Sequence, residues 1–216
     1  MDYPKKLVET VEQKMHGHHL EGFLSGKGPK GATLMLIGEA PGETEIKTNV
    51  PFSGKSGKKL DGWLSKAGLT RESIYITSAV RSRPFSIKKQ LNKRTGVTEI
   101  KHPNRTPNKT EVLAYAPLLD YEIQTIQPKI LVPMGNIGLQ RLLGNDFKIS
   151  SYHGKLLRSP ILTYSNETNK LTETNDIYTL FPIYHPAAVF YNQQLESTIE
   201  NDWAFLGSHL RNMTLH

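Results

Sequence analysis

The run Leu34-Met-Leu-Ile37, closed by Gly38, constrains this chain more than any other stretch. Four apolar residues in succession, bounded by turn formers, suit a strand covered on both faces. Such strands belong to parallel sheets flanked by helices. Ile74-Tyr-Ile-Thr77, Ile130-Leu-Val-Pro-Met134 and Tyr178–Ile183 repeat the pattern. Helical spacing fills the intervals: Leu60, Trp63, Leu64 and Ala67 before Gly68 as a C-cap, Val112 to Ile123, Ile137–Leu143, and Ile199 to Leu210. Thr106-Pro107 reads as an N-cap followed by a first-turn proline, and Pro117 is expected to kink or interrupt the helix that follows. The alternation predicts a three-layer α/β/α sandwich around a central, mainly parallel four-stranded sheet. In such a sheet ligands gather beyond the carboxyl ends of the strands. That rule selects Gly38–Glu45, Ser78–Arg83, Gly135–Asn136 and Tyr184–Ala188.

Composition narrows the function. The 216 residues suit a single domain spanning 1–216, and none is cysteine, which excludes disulfides, a thiol nucleophile and Cys-ligated zinc or iron–sulfur centres. No apolar run approaches the ~18 residues of a membrane span. Residues 1–19 read as an amphipathic helix without the apolar segment of a secretory signal. His16, His18 and His19 lack acidic partners at ligand spacing and read as a frayed helix end; no metal site is expected. The net charge of +7 is concentrated: residues 81–109 hold nine basic side chains against Glu99 alone, and the rest of the chain is close to neutral. That density points to a polyanionic partner.

The loop Gly38-Glu-Ala-Pro-Gly-Glu-Thr-Glu45 offers glycines for close backbone approach and amides that can cradle an anion or a carbonyl. It fits neither the Walker A pattern nor G-x-G-x-x-G. Taken singly, Phe52 reads equally well as core, and His185 before Pro186 as a satisfied structural histidine. The order of segments adds more. After the loop come Pro51-Phe-Ser-Gly-Lys-Ser-Gly57, Ser78-Ala-Val-Arg-Ser-Arg-Pro84, Asn104-Arg-Thr-Pro107 and Tyr184-His-Pro-Ala187. Together, from about Gly26 to Asp202, the chain resembles the uracil-DNA glycosylase superfamily, and within it family four, the iron–sulfur type.

The resemblance implies hydrolysis of the N-glycosidic bond of deoxyuridine flipped out of DNA, without a lyase step. It sets Gly38 and Ala40 against the base and sugar, Phe52 as the stacking aromatic, and His185 as donor to uracil O2. Glu39 is the available carboxylate where other branches carry an acid at the position of Ala40. Family four carries Asn where this chain has Ser78, so the resemblance leaves a deaminated purine as an alternative base. Four cluster cysteines are also missing, with Ser82 and Tyr115 at two of their positions; no cofactor is expected, and Tyr115 is expected to pack into an apolar patch instead. Against the family, Ser86–Pro103 (about 86–103) is a basic insertion. Arg81, Arg83, Lys88, Lys89, Lys93, Arg94, Lys101 and Arg105 are the expected phosphate contacts. A related branch traps the sugar covalently on a histidine in such an insert, and His102 lies in the corresponding stretch. The resemblance thus implies a monomer acting on uracil-containing DNA in the cytoplasm, associated with the nucleoid in a bacterium and with no membrane partner.

Overall fold

The computed structural model describes residues 1–94 and 96–214. The first half of the chain forms α1 (Lys5–Met15), β1 (Leu20–Glu21), β2 (Leu34–Gly38), α2 (Glu43–Thr48), α3 (Lys55–Lys66), β3 (Tyr75–Ser78), β4 (Arg83–Pro84), β5 (Lys88–Leu91) and β6 (Thr98–Lys101). Then come α4 (Lys109–Ile126), β7 (Ile130–Pro133), α5 (Gly135–Leu143), α6 (Ile149–Tyr152), β8 (Leu157–Ser159), β9 (Leu162–Ser165), β10 (Lys170–Glu173), β11 (Tyr178–Leu180), α7 (Ala188–Tyr191) and α8 (Leu195–Thr214).

The central sheet has the order β3-β2-β7-β11-β8. Its first four strands run parallel, and β8 closes one edge antiparallel to β11. The sheet therefore has five strands where four were expected. The extra one is only partly buried and carries no continuous apolar run. On β2, Leu34 and Leu36 point into a core shared with Leu60, Trp63 and Leu64 of α3 and Ile199, Trp203 and Leu206 of α8. Met35 and Ile37 point the other way, among Leu119, Ile123 and Ile126 of α4 and Leu142 of α5. Both faces of one strand are thus covered, as its uninterrupted apolar sequence requires. A third cluster packs Val11 and Met15 of α1 on Val80 and on Ala114, Tyr115 and Leu118 of α4.

Local signals and outcomes differ in places. Gly68 follows α3 at φ +76, with Leu69 N–H donating to Leu64 O at 2.9 Å, a left-handed stop of the Schellman type. Helix α4 begins later than Thr106-Pro107: Asn108 is its cap, accepting from Glu111 N at 2.9 Å while the Glu111 carboxylate accepts from Asn108 N at 2.9 Å. Pro117 neither ends nor divides α4, which runs its 18 residues through it. Beside the proline the buried Arg141 guanidinium donates to Ala116 O at 3.2 Å and to Leu162 O at 2.7 Å, and pairs with Asp120.

Beneath the active edge of the sheet lies a buried carboxylate, Glu122 of α4. It accepts from Tyr3 Oη at 2.5 Å, Gly26 N at 3.1 Å and Tyr75 Oη at 2.9 Å on one oxygen. Its other oxygen accepts from Thr77 Oγ1 and Arg81 Nη2, each at 2.5 Å. Both Arg81 and Glu122 are wholly buried. A charge removed from water costs least when paired and hydrogen-bonded; both Glu122 oxygens are satisfied, while Arg81 Nη1 is left without a partner among the described residues.

Candidate active site

The carboxyl ends of β2 and β3, with the turn after β11, open on one cavity of about 520 Å³. Gly38, Glu39, Ala40, Phe52, Ser78 and His185 all line it. The segment after β2 is in part helical: α2 occupies Glu43–Thr48, where the sequence suggested only loop. Two backbone bonds fasten the second strand's exit to the first: Ala79 N to Gly38 O at 2.9 Å and Val80 N to Glu39 O at 3.1 Å.

Phe52 is held in a conformation that a bulky residue rarely adopts, with φ +52. Arg71 fixes it by donating to Pro51 O and Phe52 O, each at 2.7 Å, and to Asp61 at 2.5 Å. Gly57 is required beneath it, because a Cβ there would collide with the Phe52 carbonyl. Gly38 is required on the ring side, where a Cβ would stand 2.8 Å from Phe52 Cζ. The ring centroid lies 5.7 Å from that of His185.

The Nδ1 atom of His185 accepts a hydrogen bond from Ala187 N at 3.2 Å, so the neutral ring carries its proton on Nε2. Burial lowers the His185 pKa from 6.5 to about 4, against a small opposing pull from Glu45. The imidazole is therefore neutral at physiological pH and still a donor. Burial also raises the pKa of Glu39, partly offset by a hydrogen bond from the Thr106 side chain. Ser78 lines the cavity with its hydroxyl proton donated to Val80 O at 2.7 Å, which leaves the oxygen as an acceptor.

Three contributors had no role assigned from the sequence, although Glu45 and Asn104 lie in segments it singled out. Glu45 accepts from Gly42 N at 3.1 Å and Gly54 N at 2.9 Å, clasping the loop after β2 to the loop that carries Phe52. The spacing Gly42-x-x-Glu45 is that of a capping box and could have revealed it. Asn104 lines the cavity with its Oδ1 held by Arg83 Nε at 2.6 Å. Tyr191 stands at the mouth, 91% exposed; its only signal was an aromatic shortly after His185-Pro186.

The eight expected phosphate contacts divide. Arg81 is not one, being buried against Glu122. Arg83 is 4% exposed and committed to Glu21 at 2.5 Å, Asn104 and His102 O. Arg105 reaches the cavity wall but is spent on a bidentate pair with Glu111, at 2.8 and 2.6 Å. Lys88, Lys89, Lys93, Arg94 and Lys101 remain exposed. His102 lies outside the base cavity; it lines a neighbouring hollow with Glu21, Glu43, Lys47 and Phe85, its ring 5.0 Å from that of Phe85. It does not line the cavity that holds Phe52 and His185.

The residues present do not fit an iron–sulfur cluster. Where thiolates would be needed, Ser82 Oγ donates to Gly22 O at 2.5 Å and Tyr115 Oη lies 2.6 Å from Ser82 Oγ, inside the apolar cluster of Val11, Met15 and Leu118. Among the described residues no group of three His, Asp or Glu is placed to hold a metal, and no helix is long and apolar enough to cross a membrane.

Comparison with known proteins gives a consistent picture. A type-4 uracil-DNA glycosylase of Sulfurisphaera tokodaii is 33% identical over 183 residues, covering 82% of this chain and 70% of its own. A type-4 uracil-DNA glycosylase of Pyrobaculum aerophilum is 30% identical over 217 residues, covering 97% and 96%. A DNA polymerase of Bacillus phage SP01 is 27% identical over 195 residues, covering 88% of this chain but 17% of the polymerase. The sequence profile of the uracil DNA glycosylase superfamily matches residues 25–207, a span that takes in the whole central sheet and both loops clasped by Glu45. By this match and these identities, the chain belongs to the uracil-DNA glycosylase superfamily.

Proposed function

We propose that the chain excises uracil from DNA as a monofunctional glycosylase, opening base-excision repair. One observation carries the reading: a neutral histidine with Nε2–H as its remaining donor shares a small cavity with an aromatic ring, 5.7 Å apart between centroids. A deoxyuridine rotated out of the stack would lie on Phe52, its O2 receiving the His185 proton donor. As the C1′–N1 bond breaks, its electron pair passes to the base, and negative charge grows on O2. A fixed donor in a water-poor site lowers that barrier by about 3 kcal/mol. Because burial disfavours imidazolium, His185 donates a hydrogen bond without surrendering its proton.

Glu39 serves the sugar. Its carboxylate faces the positive charge developing at C1′, and its raised pKa suits it to take the proton of the attacking water. The oxygen of that water bonds to C1′, and uracil departs as the anion. The described cavity lining contains no lysine to form a Schiff base, which supports hydrolysis without strand cleavage. The reading extends to a single domain, 1–216, that needs no cofactor and acts as a monomer on DNA in the cytoplasm, on the nucleoid in a bacterium.

The test is base release from oligonucleotides carrying one uracil, hypoxanthine or xanthine. Uracil release is expected, and His185→Ala is expected to lower it about 10²–10³-fold. Retention of full activity in His185→Ala would overturn the site, and preferential release of hypoxanthine or xanthine would reassign the base.

A further inference from the structure

The insertion is a built element. Its strands β5 and β6 pair antiparallel in the register Lys88↔Lys101, Lys89↔Ile100, Gln90↔Glu99 and Leu91↔Thr98. Pairing at period two places Lys88, Gln90, Glu99 and Lys101 on one face and Lys89, Leu91, Thr98 and Ile100 on the other. Neither face is covered: Leu91 is 59% exposed and Ile100 62%. The sole acid, Glu99, is engaged by Asn92 Nδ2 at 2.7 Å and Lys101 at 3.9 Å. Lys88, Lys89, Lys93 and Arg94 have no ion pair among the described residues.

The ribbon is fixed to the wall of the base cavity. Ser86 N donates to Pro103 O at 2.9 Å and Phe85 bridges to Asn104, a cavity-lining residue. The Phe85 ring lies between His19 at 5.5 Å and His102 at 5.0 Å, and Arg83 bonds both Asn104 and His102 O. Movement of the ribbon's root is therefore movement of the cavity wall.

We propose that this ribbon is a duplex-reading arm. It lies in the major groove beside the flipped nucleotide, with its cations on the phosphates and Leu91 and Ile100 against the base edges. The inference rests on the DNA-directed function above and names its substrate as double-stranded. Three physical points favour it. A two-stranded ribbon matches the width of the major groove, about 12 Å. Each four-residue strand spans about 13 Å, roughly four base-pair steps. Single strands, by contrast, are held on stacked aromatic side chains, and residues 88–101 contain none. Apolar side chains exposed among cations suit a groove whose floor presents thymine methyl groups.

The test uses the full chain and fluorescence anisotropy on a uracil-free duplex and on its single strand across a salt series. Base release from uracil-containing forms of both is measured in parallel. Replacing residues 88–101 by a short Gly-Ser turn is expected to lower the duplex-to-single-strand affinity ratio at least tenfold. The variant K88Q/K89Q/K93Q/R94Q changes surface side chains only; it should reduce the duplex salt slope by about 3.6, at about 0.9 for each cation removed. L91S/I100S should weaken duplex binding several-fold with the slope unchanged. A parallel fall on both DNA forms would overturn the proposal. So would duplex affinity undiminished in L91S/I100S, which would make the apolar pair a surface for a protein. If the parent chain releases no uracil at all, the glycosylase reading fails while the binding data still judge the arm.

Discussion

Glu39 and His185 show how one cavity sets two ionisable groups apart. Burial holds the imidazole uncharged down to about pH 4, so the ordinary histidine titration near 6.5 is absent from the working range. Burial holds the carboxylate proton above the ordinary 4.5. The acid limb of the pH–rate profile is therefore expected to lie above 4.5, to belong to Glu39, and to vanish in Glu39→Gln along with about 10²-fold of activity. Stability follows the opposite sign. Between 4.5 and the raised folded value, the native state binds the Glu39 proton more tightly than the unfolded chain does, so its contribution to stability falls as pH rises. Glu39→Gln should consequently melt higher than the parent at pH 7, a gain that shrinks as pH falls below Glu39's folded value; thermal melts at two pH values check this. Gly38, Glu39, Ala40, Ser78 and His185 were legible because they lie at or just beyond strand ends in the sequence; Phe52, between two helices, was legible only through the order of motifs. The fate of Arg81 was not, since its burial is decided by Glu122, forty-one positions away.

At the scale of elements, the strained Phe52 loop is held by Glu45 at Gly54 N and by Arg71 at the Pro51 and Phe52 carbonyls. Arg71 makes three hydrogen bonds from a single planar group, two to carbonyls and one to Asp61. Lysine cannot reproduce that fork. Both Arg71→Ala and Arg71→Lys are therefore expected to cost about 2–3 kcal/mol in urea unfolding and to raise KM more than they lower kcat, because Phe52 loses its fixed stacking position. A variant with unchanged KM would show that the loop holds without the clamp. Strands β2, β3 and β7 could be read directly from their apolar runs, because burial on both faces leaves that imprint. The ribbon of β5 and β6 left none: with both faces in solvent, no period-two pattern is selected, and Lys-Lys-Gln-Leu against Thr-Glu-Ile-Lys reads as loop. Edge strand β8 was obscure for a milder version of the same reason.

At the scale of the molecule, Ser82 and Tyr115 join the segment after β3, the turn at Gly22 and helix α4 by hydrogen bonds and packing alone. Tyr115→Phe is expected to cost about 1 kcal/mol by leaving Ser82 with one partner fewer, and dialysis against an iron chelator should leave base release unaltered. Iron-dependent activity would contradict the assignment. Most of the excess positive charge, which a composition sum places nowhere, lies in the ribbon and its root once the internally paired Arg81, Arg83 and Arg105 are set aside with their acids.

The Glu122 carboxylate gathers donors from segments as far apart in sequence as Tyr3 and Arg81. No partial assembly can satisfy it: a sheet formed without the N-terminal segment, or α4 docked without β3, encloses a charge short of partners. Completion of these contacts is therefore expected late in folding, with kinetics by intrinsic fluorescence showing one exponential phase. Folding of this domain is expected to be all-or-none around one acid group, with the segment that carries Tyr3 arriving in the same step that seals the floor of the base cavity.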